Sequence, residues 1–306
     1  MFLFNLILSY VILNATISQK EIDPPYIIVS GIAQDAGYPQ IDCKKDCCKK
    51  YWEKKIPHQK VVSLTLFDPG SKRKWIFEAT PDITEQLHEA DKHLKGNLSG
   101  VFLTHAHIGH YTGLMYLGRE AMNAKEVPVY AMPGMQNFLQ NNGPWSQLVT
   151  QKNIQLQKLK VDSTIWLSDN ISVTPFLVPH RDEFSETVGY TINVNKKKLL
   201  FIPDIDKWQK WDRDIRQMVK THDYLFLDAT FYDETELPGR NMSEIPHPFV
   251  KESMELFNDL SKEEKSRIWF IHFNHSNPLI DSSSIEYKEV RNRGFKVANE
   301  GDKIIF

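Results

Sequence analysis

The apolar run Gly100-Val-Phe-Leu-Thr104 leads straight into His105-Ala-His107-Ile-Gly-His110 and then into Tyr111-Thr-Gly-Leu114. A run of this kind reads as a buried strand, and a strand end fixes the direction of the side chains that leave it. Three of the chain's 11 histidines fall within six positions. Closely spaced imidazoles on a rigid edge offer neutral nitrogens to a borderline-soft divalent ion, zinc above all. Three solvated loop histidines would be the bland alternative, but the strand-end placement points to a metal site.

Further acids and imidazoles stand where other strands run out. His180 lies in Phe176-Leu-Val-Pro-His-Arg-Asp182, after an alternating apolar run and before the strand-like Thr187–Val194. Asp204 closes Leu199-Leu-Phe-Ile-Pro-Asp, and His272 closes Ile268-Trp-Phe-Ile-His. Any one of these alone would more often be a turn residue or a satisfied core histidine. Strand ends are where a β-scaffold exposes functional groups, and the recurrence points to one assembled site. Asp206, two residues beyond Asp204, is an alternative ligand if the strand ends one residue pair later, and Tyr111 reads first as an exposed aromatic at a helix start and second as a donor to a developing oxyanion.

Hydrophobic residues make up 41% of the chain and aromatics 11%, enough for one large domain or a two-lobed one. The net charge is -2 with no long basic run, so the electrostatic footprint of a nucleic-acid binder is missing. Met1–Ser18 is apolar, too short in its core for a confident membrane span, and followed by polar Gln19–Asp23. With small Thr16 and Ser18 at the expected cleavage place, residues 1–18 read as a signal peptide. That makes 19–306 a single mature domain, periplasmic or secreted, without stable membrane insertion. The leader has no Lys or Arg, so an uncleaved anchor is the alternative. The only cysteines are Cys43, Cys47 and Cys48. They read as a structural zinc site with a fourth ligand from elsewhere, His58 being the nearest donor in sequence, or as one disulfide and a free thiol.

Strand and helix signals interleave throughout, with no repeat and no low-complexity linker. Strands are expected over 26–30, 61–67, 74–78, 100–104, 128–131, 164–167, 171–178, 187–194, 198–202 and 268–272. Helices are expected over 82–94, 133–141, 207–220, 248–260 and 282–292. Trp208, Trp211, Ile215 and Met218 form a stripe at helical spacing, read as core. The pattern indicates an α/β layered architecture.

The histidine cluster resembles the His-x-His-x-Asp-His signature of the metallo-β-lactamase superfamily, and implies that family's αβ/βα four-layer sandwich. One departure stands out: the signature's aspartate falls at Gly109. By resemblance, His105, His107 and His180 hold one ion and keep an open position for water, whose pKa falls to about 7 when metal-bound. His110, Asp204 and His272 would hold a second ion, with Asp204 bridging. The lost carboxylate implies one tight ion and a second that is weak or absent, and Gly109→Asp is expected to raise its occupancy.

Other segments resemble the coenzyme PQQ biosynthesis protein B family. They are Gly31–Cys48 with its Gly-Tyr-Pro-Gln, Glu78-Ala-Thr-Pro-Asp-Ile83, Val178-Pro-His-Arg-Asp-Glu183 with Val188-Gly-Tyr, and Phe273-Asn-His-Ser-Asn-Pro278. The succession Leu227-Asp-Ala-Thr-Phe231, Pro246-His-Pro248 and His272 is similar to phosphodiesterase members such as tRNase Z. It implies that Asp228 and His247 are a catalytic acid–histidine pair relaying a proton to a leaving group.

The leading expectation is an exported metallo-hydrolase using metal-activated water on a small ester, lactam, lactone or phosphodiester, with zinc as cofactor. The alternatives are a cofactor-maturation or redox protein of the PQQ-biosynthesis-B kind, with zinc or non-haem iron, and a non-catalytic metal-binding relative. The expected partner is a small-molecule substrate and no nucleic acid.

Overall fold

Among residues 23–306, which the computed structural model describes, fourteen strands form two seven-stranded sheets. The expected signal peptide lies outside these residues. The first sheet contains β1 (Tyr26–Gly31), β2 (Ser63–Asp68), β3 (Arg73–Phe77), β4 (Asn97–Phe102), β5 (Val127–Ala131) and β6 (Ile154–Lys158). The second contains β7 (Ile165–Ser168), β8 (Ile171–Leu177), β9 (Val188–Val194), β10 (Lys197–Ile202), β11 (Tyr224–Asp228), β12 (Ile268–Ile271) and β13 (Lys296–Val297). β14 (Lys303–Ile305) then returns to pair with β1.

Both sheets are built alike. β14, β1, β2 and β3 pair antiparallel, and β3 to β6 pair parallel. β7 to β10 pair antiparallel, and β10 to β13 pair parallel. Parallel strands need covered faces, which suits the nearly continuous apolar runs of β11 and β12.

The inner faces of the sheets meet through large rings. Phe77 stacks on Phe102 at 4.9 Å, Tyr190 of β9 approaches both at 5.6 Å, and Phe201 of β10 meets Phe77 at 6.3 Å. The Tyr190 hydroxyl donates to the Leu103 carbonyl at the edge of this core, tying the two sheets together just below His105. Helices Ile83–His93 and Pro133–Asn141 cover the outer face of the first sheet, where Ile83, Met135 and Leu139 pack on Ile76, Val101 and Val129. Val250, Met254, Phe257 and Val290 cover the second. The order is helix, sheet, sheet, helix, the expected αβ/βα sandwich.

Some elements depart from expectation. The span 207–220 is not one helix: a single 3-10 turn, Trp208–Lys210, precedes a helix at Ile215–Thr221. Asp214 ends the extended stretch between them by accepting from the Arg216 amide at 2.8 Å, as an N-cap does. Trp208, Trp211 and Ile215 are buried all the same, so the stripe is core. Strand β6 and the helix Asp46–Trp52 on the cysteines were not anticipated. No helix among the described residues is long and apolar enough to cross a membrane.

Candidate metal centre

The exits of the parallel strands from both sheets converge on one buried point. β4 delivers Thr104 and His105, with His107 and His110 on the turn and short helix that follow. β10, β11 and β12 deliver Asp204, Asp228 and His272, and His180 comes from the link between β8 and β9. All six expected ligands are therefore brought together, with Asp228 and His247 beside them.

Two donor sets share Asp204. In the first, His107 Nδ1 lies 2.8 Å from His105 Nε2 and 3.3 Å from His180 Nε2, and Asp204 Oδ2 lies 3.4 Å from both His105 Nε2 and His180 Nε2. Ligands bound tetrahedrally to zinc at about 2.0–2.1 Å stand about 3.3 Å apart. The set has that spacing, and three converging imidazoles facing one carboxylate are chemically a cation site. The second set is Asp35, His110, Asp204 and His272. His110 Nε2 lies 2.8 Å from Asp35 Oδ1 and 3.8 Å from Asp204 Oδ2, and His272 Nε2 lies 3.6 Å and 3.9 Å from the same two atoms. His272 Nε2 is buried and makes no hydrogen bond within the protein, the state of a donor atom shaped for a ligand it does not find in the chain.

Four of the five imidazoles are held by a hydrogen bond from behind, which fixes ring orientation and tautomer. Nδ1 of His105 meets Thr104 Oγ1 at 2.8 Å, that of His180 meets Asp206 Oδ1 at 3.3 Å, and that of His272 meets Thr230 Oγ1 at 2.8 Å. Nδ1 of His110 stands 3.4 Å from buried Glu78 Oε1. His107 is reversed: its Nε2 faces Glu183 at 3.1 Å, leaving Nδ1 for the site. Glu78 and His272 have φ of +77° and +69°. Non-glycine residues in that region are sparse and carry strain that clusters at functional sites.

The electrostatics of the first set suit cation binding; in the second, against the effect of burial, Glu78 and Asp35 raise His110 well above its usual value and Asp204 raises His272 to about 9, so a cation there displaces protons. Burial, with His110 close by, holds the His105 imidazole well below its usual pKa, in the neutral form a ligand needs. Burial would raise the Asp204 carboxyl, but His180, His247 and His272 hold it well below the carboxylate range. Asp228 is likewise kept at about 2 by His247 in spite of its burial. His247 is the converse: burial would lower it, yet Asp228 and Asp204 push it well above its usual value. Its Nδ1 lies 2.8 Å from Asp228 Oδ2 and 3.1 Å from Asp204 Oδ1.

Several expectations are corrected. Asp206 is not an alternative ligand: it backs His180 and pairs with Lys210 at 3.0 Å. Tyr111 is buried against Phe138 and Trp145, with ring centroids at 5.3 and 4.9 Å, and belongs to the packing under the helices. Gly109 cannot simply receive an aspartate, because a Cβ there would lie 2.4 Å from the Asp35 Cα. Asp35 and Glu78 were missed, although both lie within segments whose family resemblance was evident.

Cys43, Cys47 and Cys48 are free thiols, with Cys43 Sγ 3.8 Å from Cys47 Sγ, and they form a donor group with His275. His58 is not the fourth member. Its Nε2 stands 3.9 Å from Asp82, while the turn after β12 carries His275 across to the cysteines. Burial pushes the Cys48 thiol up to about 12, a cost that a bound cation would remove by favouring the thiolate.

Comparison with known proteins agrees with this geometry. Residues 66–273 match the Beta-lactamase superfamily domain. Coenzyme PQQ synthesis protein B of Methylococcus capsulatus is 25% identical over 310 residues, covering 91% of this chain and 99% of that one. The crystal structure of Zn(2+)-bound PqqB from Methylobacterium extorquens superposes with a TM-score of 0.77 at 22% identity, covering 92% of this chain and all of that one. A diphosphatase of the PhnP family superposes at 0.64 with 20% identity, covering 92% and 98%. With two like-built sheets, a shared carboxylate between two donor sets and a family match over more than half its length, the chain belongs to the β-lactamase superfamily and is PqqB-like within it.

Proposed function

We propose that the chain is a metal-dependent protein of the coenzyme PQQ synthesis B kind, acting on a small organic precursor in the making of a quinone-type cofactor. The observation that carries this reading is similarity along nearly the whole length of both chains, coinciding with two buried donor sets that share Asp204. His105, His107, His180 and Asp204 would hold one ion, and His110 and His272 a second together with Asp204. A zinc ion there supplies Lewis acidity and water activation, and an iron ion adds redox chemistry.

The chain's own residues supply orientation and a proton. Asp228 Oδ1 accepts from the Thr230 amide and Thr230 Oγ1 at 2.9 and 2.7 Å, and its Oδ2 accepts from the Ile205 amide at 3.0 Å and faces His247 Nδ1 at 2.8 Å, so the carboxylate is fixed on His247. His247 Nδ1 is engaged by Asp228 with Asp204 close by, which favours the protonated ring and leaves Nε2 as the nitrogen to pass a proton to a substrate atom. Ile108 and Phe184 are exposed beside His107 and Glu183 and suit the apolar face of a small substrate. Export through the leader at 1–18 completes the proposal.

The Asp228–His247 pair favours one second reading, a hydrolase in which Nε2–H protonates a leaving group. Anomalous diffraction on both sides of the zinc and iron edges, combined with assays on aryl esters and bis-aryl phosphodiesters, separates the two. Iron at the histidine clusters with no ester or phosphodiester turnover supports the cofactor-maturation reading. Zinc there with turnover overturns it in favour of the hydrolase, and no ion at either cluster overturns both.

A further inference from the structure

We infer that Asp35 supplies, from the loop after β1, the carboxylate that the His105–His110 segment lacks, and that position 109 is glycine because the Asp35 loop fills its side-chain space. This rests on the reading of His110, Asp204 and His272 as a metal site.

Three observations carry the inference. The first is aim: Asp35 Oδ1 reaches His110 Nε2 at 2.8 Å and His272 Nε2 at 3.6 Å, the two nitrogens that also face Asp204. The second is mutual exclusion. A Cβ on Gly109 would stand 2.4 Å from Asp35 Cα, 2.9 Å from its Cβ and 2.8 Å from its Oδ1, distances that no pair of side chains tolerates. The two positions therefore compete for one space, and this chain gives it to Asp35. The third is support. Ala33 bridges in parallel to Phe273, with Gln34 N donating to Phe273 O and Phe273 N to Ile32 O, both at 2.8 Å. Asp35 and His272 thus leave neighbouring extended segments side by side.

The charge count gives the consequence. Without Asp35, the second set would offer two neutral imidazoles and a carboxylate shared with the other ion. With Asp35 it has a carboxylate of its own, so a second ion binds in spite of Gly109. A role limited to holding the His110 ring is the rival account, and Asp35→Asn separates them, because the amide oxygen still accepts from His110 while the charge is lost.

The test is titration of the metal-free full chain with zinc against a chromophoric chelator, and with cobalt read by its visible spectrum. Thiolate-to-cobalt absorption reports the cysteine cluster separately. His110→Ala defines loss of the second ion. We expect Asp35→Asn to weaken the second ion by about 100-fold or more, beyond the roughly 10–100-fold range of outer partners, and to change the visible band of that site alone. Gly109→Ala should weaken the same ion by displacing the Asp35 loop. If Asp35→Asn binds both ions within about threefold of the wild type, the inference is overturned and the metal reading stands. If the wild type binds no ion outside the cysteine cluster, the metal reading itself fails. Should Gly109→Ala not fold, the isosteric Asp35→Asn still decides.

Discussion

Glu236 lies on the segment between β11 and the helix at Val250, the same segment that carries His247. Its Oε2 accepts from the Tyr232 amide at 2.6 Å and its Oε1 from Ser276 Oγ at 2.5 Å, which fastens the segment to the turn after β12. Burial outweighs these bonds and pushes the carboxyl from 4.5 up to about 7. The sign follows from linkage. A folded pKa above the unfolded one means that the fold prefers the protonated acid, so its stabilisation is complete below about 4.5 and is lost as pH rises through about 7. The whole interval is worth roughly 3 kcal/mol, of which about 2.5 kcal/mol falls between pH 5 and pH 8. Glu236→Gln mimics the protonated form, its oxygen accepting from Tyr232 and its amide donating to Ser276. Urea unfolding of both proteins at fixed zinc should give stabilities within about 1 kcal/mol at pH 5, with the variant about 2–3 kcal/mol more stable at pH 8. Metal ligands add a pH dependence common to both proteins, so only the difference matters. If the two stability curves run parallel from pH 5 to pH 8, the burial of Glu236 is not what sets its protonation, and the reasoning fails.

Asp228→Asn should cut turnover by about 10²–10⁴-fold while zinc content, measured by plasma emission, stays at the wild-type value; loss of zinc would instead make Asp228 a structural support of the site. Glu78→Gln removes the carboxylate behind His110 and should weaken the second ion by about 10–100-fold in the same chelator titration, with the first unchanged. Cys48→Ser, at a buried thiol that receives the Gln40 amide at 3.4 Å, should leave one zinc fewer per chain and lower the Tm by roughly 5 °C or more. An unchanged zinc count in that variant would refute the reading of the cysteine cluster as a metal site.

What the sequence made legible was what is decided locally. A ligand at the end of an apolar run is placed by its own strand, so His105, Asp204 and His272 could be read from their positions in the chain, whereas Asp228 was reached only through the resemblance to phosphodiesterase members of the superfamily. Donors that reach the site by tertiary approach could not. Asp35 sits in a turn-rich loop that contains no pattern of its own, and only the backbone pairing of Ala33 with Phe273 carries it to His110. The signal was present in negative form at Gly109: a missing side chain is informative only when something else is known to fill its place. His58 and His275 repeat the lesson at the cysteines, where the donor nearer in sequence is the one farther from the thiols. The like topology of the two sheets left no trace as a sequence repeat either, because pairing direction depends on connections rather than on composition. The net charge of such a site is therefore a property of the packed chain. A motif that has lost an acid has not lost its metal until the space around that position has been shown to be empty of another carboxylate, and here it is filled by Asp35.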